Sequence, residues 1–220
     1  MKKSVNTIKL AVVAGAVLLK TAQMNAAEVG SNFYIEAAAG PSFVQGTTIH
    51  SSWAPGASGT ANFNTGIRGD LLLGYKLNES LALEFQTGAI YNTIDNLSIG
   101  GFVVGSRYGS ADAYQVPILA NVVYTKAINE KLTAYVGAGL GGVDTTVNVS
   151  DELGNFSDSS FDFAYQAKTG VKYHLTQNAT VGIGYEFLGT TGSSWTFGDV
   201  PINTDGVFTH AIMASFAWAF

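Results

Sequence analysis

Apolar and polar residues alternate along most of the chain with a period of two. In GIRGDLLLGYKL, residues 66–77, the side chains of Ile67 and Leu71 fall on one face, and those of Arg68 and Asp70 fall on the other. A period of two places successive side chains on opposite faces of an extended chain. The pattern therefore predicts β-strands that have one apolar and one polar face.

The alternation recurs in eight segments. The predicted strands lie at residues 32–44, 62–77, 81–93, 112–127, 132–144, 160–175, 179–189 and 206–220. Each is long enough to cross a bilayer, because a tilted membrane strand needs about 9–11 residues.

The connections between these strands alternate strictly between long and short. The short ones lie at residues 78–80, 128–131 and 176–178, and the long ones, rich in Gly, Ser, Thr and Asn, lie at 45–61, 94–111, 145–159 and 190–205. Bacterial outer-membrane barrels have short periplasmic turns, longer external loops and an even number of strands. The chain is therefore predicted to be all-β, an eight-stranded antiparallel up-and-down transmembrane β-barrel with both termini in the periplasm.

Side-chain volume distinguishes this barrel from a soluble sandwich or a lipocalin-like barrel, which would place its apolar face inside. In the seventh strand the bulky face holds Ile183 and Tyr185, and the opposite face holds Gly182, Gly184 and Glu186. A soluble core cannot be built from glycine and charge. The bulky face is therefore predicted to point outward, into lipid.

Three tyrosines mark the predicted periplasmic edge of the membrane. Tyr75, Tyr124 and Tyr173 each lie near the end of a strand that leads into a short turn, and they are spaced 49 residues apart. Such placement is typical of an interfacial aromatic girdle. The alternative is that tyrosine is simply common in strands.

The N-terminal segment has the layout of a secretory signal peptide. Three lysines precede the uncharged apolar run at residues 10–19, and small residues follow it. The run is too short to span a bilayer, so we expect a signal peptide over residues 1–27, cleaved after Ala26 or Ala27. The outer-membrane β-barrel domain is then residues 28–220.

Composition agrees with a lipid-facing surface. Hydrophobic residues make up 47% of the chain and charged residues 12%, about half the usual charged share. Four of the 11 basic residues lie in the predicted signal peptide, which leaves seven against 16 acidic residues, a net charge of −9. We therefore expect no nucleic-acid partner, since such binding needs a basic surface. The predicted location is the bacterial outer membrane, in contact with its lipid and lipopolysaccharide.

The middle of the chain resembles a known family. AYQVPILANVVYTKA, a proline-containing strand, is followed by INEKLTAYVGAGLG, in which a tight turn leads to a glycine-rich strand. Together with the eight alternating segments, the chain resembles the small eight-stranded outer-membrane barrels, namely the OmpA transmembrane domain, OmpX and opacity-like proteins. The resemblance covers residues 28–220 and implies the fold more specifically than any function.

The inward face of the predicted barrel carries balanced charge. By alternation, four acids and four bases point inward: Glu36, Arg68, Asp70, Lys76, Glu84, Lys168, Lys172 and Glu186. Because side chains fill the interior of an eight-stranded barrel, we expect a polar plug. Within it, Lys168 and Lys172 are expected to neutralise Glu36, Glu84 or Glu186. Alternatives are a gated path for ions and a ligand or proton role for His174.

Candidate chemistry outside this set is sparse. The chain has three histidines, His50, His174 and His210, and none is placed with a nucleophile and an orienting group. The acidic stretch at residues 151–158 lacks the spacing of a recognised calcium loop. We therefore expect no enzymatic activity, no cofactor and no metal site.

The last predicted strand ends on FAWAF, with Phe216, Trp218 and Phe220 on its outward face. It is expected to pair with the segment near residues 33–43, which closes the barrel and leaves no bare edge in lipid. The aromatic end resembles the signal read by the outer-membrane assembly machinery, which is therefore an expected partner.

These features predict a monomeric outer-membrane barrel with a structural or surface-interaction role. Its long external loops would carry any contact with an extracellular partner. The alternative is a narrow porin-like channel for small or apolar solutes.

Overall fold

The computed structural model describes residues 32–51, 58–99, 102–105, 109–151, 154–197 and 200–220. The predicted signal peptide lies outside these residues. No helix among them is long and apolar enough to cross a membrane.

Thirteen strands form within the described part of the chain. They are β1 (Phe33–Val44), β2 (Thr47–Ser51), β3 (Ser58–Phe63), β4 (Gly66–Lys76), β5 (Leu81–Ile99), β6 (Phe102–Gly105), β7 (Gly109–Ala127), β8 (Leu132–Asp151), β9 (Gly154–His174), β10 (Ala179–Thr190), β11 (Ser194–Phe197), β12 (Val200–Thr204) and β13 (Phe208–Ala219). All of them join one sheet.

Eight of these strands form a closed antiparallel barrel, as the sequence predicts. Strands β1, β4, β5, β7, β8, β9, β10 and β13 follow one another around the ring. The last strand pairs with the first, with Ala39 opposite Ala214 and Ala37 opposite Phe216. Because the barrel is closed, the backbone N–H and C=O groups of each barrel strand have partners on both sides. This matters in a bilayer, where no water can bind an unpaired backbone group.

Three tight turns connect the strands at the end of the barrel that is predicted to be periplasmic, at the positions that the sequence predicts. In the β4–β5 turn, the Asn78 carboxamide oxygen accepts hydrogen bonds from the backbone N–H groups of Ser80 and Leu81, both at 2.9 Å. Asn129 and Thr176 cap the other two turns in the same way. These side chains replace the strand partners that a turn backbone lacks.

The external end differs from the sequence expectation, because most of the predicted loop residues are in strands. Strand β8 continues to Asp151 and β9 begins at Gly154, so the loop expected at residues 145–159 is instead a long hairpin. Strands β5 and β7 likewise extend to Ile99 and from Gly109. Above the membrane the outward face of a strand meets water in place of lipid, so the apolar outer face that marks a strand in lipid is lost.

The other two predicted loops also contain paired strands. Residues 45–61 include β2 and part of β3, and residues 190–205 include β11 and β12. These strands pair in the order β11–β12–β2–β3 and join the external part of β5. A backbone hydrogen bond of 3.1 Å from Asp205 to Thr48 links the two segments. The barrel wall therefore continues above the membrane as β-structure.

The two faces of the barrel wall match the predicted orientation. Large apolar side chains point outward, and Ile183 is 57% exposed. Glu84, Gln86 and Lys168 are buried on the inner face. The interior of the barrel is therefore where the charged side chains meet.

Candidate functional site

The charged interior is centred on Arg68 of β4, which is fully buried. Its Nε donates a hydrogen bond of 2.8 Å to Asp70 Oδ2. Its Nη2 lies 2.7 Å from Glu186 Oε2 on β10 and 2.8 Å from Gln166 Oε1 on β9. Strands on opposite sides of the ring are thus joined through one guanidinium group.

Three buried amides complete this layer. Gln86 Nε2 donates to Asp70 Oδ2 at 2.9 Å and to Glu186 Oε2 at 3.1 Å. Gln86 Oε1 accepts from Gln166 Nε2 at 2.8 Å and from Asn121 Nδ2 at 3.0 Å. We call Arg68, Asp70, Gln86, Asn121, Gln166 and Glu186 the central network. It draws on β4, β5, β7, β9 and β10, so it crosses the lumen.

Two lysine–glutamate pairs lie on the periplasmic side of the central network. Lys168 Nζ pairs with Glu84, and Tyr34 Oη donates to the other Glu84 oxygen at 2.5 Å. Lys172 Nζ lies 2.5 Å from Glu36 Oε2 and 5.0 Å from the centre of the Tyr135 ring. Both lysines therefore contact acids from the set that the sequence proposed for them.

Lys76 differs from the other seven charged residues expected inside. It is exposed at the periplasmic end of β4 and forms no salt bridge with any residue that the structure describes. It lines a cavity of about 560 Å³ at the periplasmic mouth, together with Lys172 and His174. The two ring nitrogens of His174 each lie 3.0 Å from a threonine hydroxyl, one on β8 and one on β10.

An apolar layer lies on the external side of the central network. It consists of Ile90, Leu119, Val143, Ala164 and Leu188, each almost fully buried and each on a different strand. Leu119, Ala164 and Leu188 each follow or precede a residue of the central network by two positions. Sequence reasoning treated the interior as polar and missed this layer. The apolar residues at inward positions of neighbouring strands were the signal for it.

The predicted girdle tyrosines point outward beside the three short turns. Tyr75, Tyr124 and Tyr173 are all exposed on the outer face, and the Tyr75 ring packs 4.7 Å from that of Phe33.

Two of the three predicted assembly-signal residues occupy the same outer face at the end of the chain. Phe216 and Trp218 are exposed on β13. Phe220 donates its backbone N–H to the carbonyl oxygen of Phe33 at 3.1 Å. The final residues are therefore joined to the first strand.

The other two histidines lie outside the lumen. His210 Nδ1 is 2.5 Å from the hydroxyl of Tyr185 on the outward face. His50 Nε2 of β2 lies 3.5 Å from Asp205, which follows β12. Across the described ranges, no three His, Cys, Asp or Glu side chains are grouped closely enough to hold a metal ion.

Comparison with known proteins identifies the fold family. The family model described as "Outer membrane protein beta-barrel domain" matches residues 11–220. The chain belongs to this family. As an outer-membrane β-barrel protein it resides in the bacterial outer membrane, the location that the sequence predicts. No curated protein matches the chain significantly.

Solved structures share this barrel fold at low sequence identity. The outer membrane protein OprG from Pseudomonas aeruginosa is 16% identical, with a TM-score of 0.54 over 86% of this chain and 96% of its own. Neisserial surface protein A is 18% identical, with a TM-score of 0.51 over 86% and 97%. A major outer membrane protein from Thermus thermophilus is 12% identical, with a TM-score of 0.50 over 86% and 99%. At these identities the likeness extends to the fold alone.

Proposed function

We propose that this outer-membrane β-barrel protein does not conduct solutes and that its external strands present a surface to partners outside the cell. The observation that carries the proposal is the central network, whose charged and amide side chains are buried and bonded to one another across the lumen. The apolar layer lies above it. Two filled layers in series support a closed interior.

The energetics of the central network favour a closed lumen. An eight-stranded barrel is only wide enough for its own side chains. Removing one partner from a buried charged group leaves the other uncompensated, which costs about 3–5 kcal/mol. Opening a path past Arg68 would separate it from both Asp70 and Glu186. Thermal motion would rarely supply that cost.

The external strands support the second half of the proposal. On the outward face above the membrane, Asn148 Nδ2 donates to Asp112 Oδ2 at 2.9 Å, and Ser157 Oγ donates to Asn148 Oδ1 at 2.8 Å. These bonds connect β7, β8 and β9 in a polar, acidic surface. A surface held by paired strands can bind a partner with little loss of conformational entropy. Lipopolysaccharide and extracellular proteins are the candidate partners.

The histidine contacts support a role without catalysis. An activated nucleophile requires a base that a third group orients. His174 has both ring nitrogens beside threonine hydroxyls, which leaves neither for an orienting acid. His210 contacts a tyrosine and His50 an aspartate in the external strands.

Single-channel recording of the refolded protein in planar bilayers tests the closed lumen. We expect no discrete openings from the native protein. The positive control is a variant that empties both layers, Arg68→Ala and Glu186→Ala in the central network with Leu119→Ala and Leu188→Ala in the apolar layer, and it is expected to conduct. Steady openings of the native protein that disappear in Ala164→Phe would contradict the proposal and favour a narrow channel.

The surface role is tested by shortening the β8–β9 hairpin. Replacing residues 147–158 by Asn-Gly joins Thr146 and Ser159, which face each other in the native pairing. Cells that display this variant are expected to lose adhesion to other cells and to matrix-coated surfaces, with equal amounts of barrel in the membrane. Unchanged adhesion would argue against a surface role for this hairpin.

A further inference from the structure

Asp162 is a buried carboxylate inside the barrel, on the external side of the apolar layer. Asp162 of β9 is 8% exposed and points inward. Its Oδ1 accepts a hydrogen bond of 3.2 Å from Ser160 Oγ, and its Oδ2 accepts one of 2.5 Å from Ser193 Oγ. A carboxylate has about four acceptor positions, so two donors leave part of its capacity free.

On the strands that flank Asp162, the described residues include no basic side chain near its carboxylate. The neighbouring strands β8 and β10 contain no Lys, Arg or His. On β9 the nearest base is Lys168, about 20 Å away along the strand, and it pairs with Glu84. Among the described residues, no salt bridge involves Asp162. Burial of an uncompensated charge is costly, so a counter-charge is expected.

Side chains with neutral oxygens lie on the inner face of β7 and β8. Gln115 of β7 is 5% exposed, and its buried Oε1 has no hydrogen-bond partner. The register places Gln115 opposite Thr145 and Thr145 opposite Ser160, so the three form one row across β7, β8 and β9. Cross-strand neighbours on one face have Cβ atoms about 4.5–5.5 Å apart. Asp162 lies two residues beyond Ser160 on the same face and diagonal to Thr145, so the carboxylate on β9 and the orphan amide oxygen on β7 flank Thr145 from its two neighbouring strands.

We propose that Asp162, Gln115 and Thr145 bind one monovalent cation such as sodium. Hard cations take carboxylate, amide and hydroxyl oxygens as ligands, which are the groups present here. One carboxylate balances one positive charge, whereas a divalent cation usually recruits several carboxylates.

The residues around the proposed site indicate how the ion enters and what it stabilises. Val143 and Ala164, both fully buried, close the site towards the periplasm. Ser160 is only partly buried, so the ion enters from the external side. Because Ser193 follows the end of β10, a bound ion holds the connection to β11 against β9.

Unfolding of the refolded protein in sodium chloride and in N-methyl-D-glucamine chloride, at equal ionic strength, tests the site. A cation that binds only the folded state raises the folding equilibrium constant about tenfold for each tenfold rise in concentration above its Kd. We expect a saturable rise with sodium for the native protein and none for Asp162→Asn. Gln115→Leu is expected to weaken the apparent sodium affinity by about tenfold or more, since it removes one ligand.

Asp112→Asn is the matched control. It removes one negative charge from β7, on the opposite face of the sheet from the cluster, and is expected to keep the full sodium response. If Asp162→Asn does not fold, the sodium response of Thr145→Val tests the proposal instead, because this substitution removes a ligand oxygen without removing charge. Equal stability in the two salts, or a sodium response that survives in the cluster variants, would overturn the proposal. The outcome is independent of whether the lumen conducts.

Discussion

Strand β9 passes through two regions of the molecule that look different in sequence. Within the membrane, from Phe161 to Tyr173, aromatic and aliphatic side chains point outward and Gln166, Lys168 and Lys172 point inward. In the external segment, residues 154–160, no such alternation exists, yet the segment pairs with β8 throughout. Alternation therefore depends on what surrounds the two faces of a strand. A segment that lacks alternation can still be a paired strand.

The largest expected effect lies in the membrane region. Arg68→Leu removes the single cation between Asp70 and Glu186 and leaves both acids buried. We expect a loss of about 3–5 kcal/mol in unfolding free energy, because uncompensated buried charge is costly. Urea unfolding from lipid vesicles measures it. The external counterpart, Asn148→Leu, breaks a partly buried polar contact and is expected to cost far less. Equal losses would remove the distinction between the two regions.

A charge placed on the outer face should also affect stability differently in the membrane region and in the external region. Ile183→Arg puts a cation on the lipid-facing side of β10 and is expected to cost about 2–4 kcal/mol near the bilayer midplane. Ser159→Arg makes the same change on an exposed external position of β9, and we expect little effect there because the side chain stays in water. Refolding yield and urea midpoint report both variants. If Ser159→Arg were as damaging as Ile183→Arg, the external segment would lie in lipid.

Glycines on the two faces of the barrel wall give a smaller contrast. A Cβ added to Gly184 would lie 2.1 Å from the Tyr135 hydroxyl in the lumen. Gly184→Ala is therefore expected to cost about 1–3 kcal/mol by overpacking. At Gly69, on the lipid face, the nearest atom would be 3.9 Å away, so Gly69→Ala should be nearly neutral. If Gly184→Ala left the free energy of unfolding unchanged, the lumen would be packed more loosely than these contacts indicate.

The sequence predicted the membrane region well because lipid constrains it. Strand number, closure and outward orientation all follow from alternation and connection length, as in the pairing of Ala39 with Ala214. Which of the three glutamates each inward lysine contacts could not be predicted. Lys168 and Glu84 are 84 residues apart, and their meeting depends on barrel stagger, which alternation does not specify. For the same reason the roles of Gln86 and Gln166 were not foreseen.

The smallest expected effect is in the external region. The variant that replaces residues 147–158 by Asn-Gly loses the backbone hydrogen bonds between the removed parts of β8 and β9. These hydrogen bonds form next to water, so each contributes little net free energy of folding. The lipid-facing belt and the central network remain intact, since both lie below Thr146 and Ser159. We therefore expect the urea midpoint in vesicles to stay close to that of the native protein, within about 1 kcal/mol. A larger loss would show that the external hairpin unfolds together with the barrel. The two regions would then be one cooperative unit, although their sequences carry such different patterns.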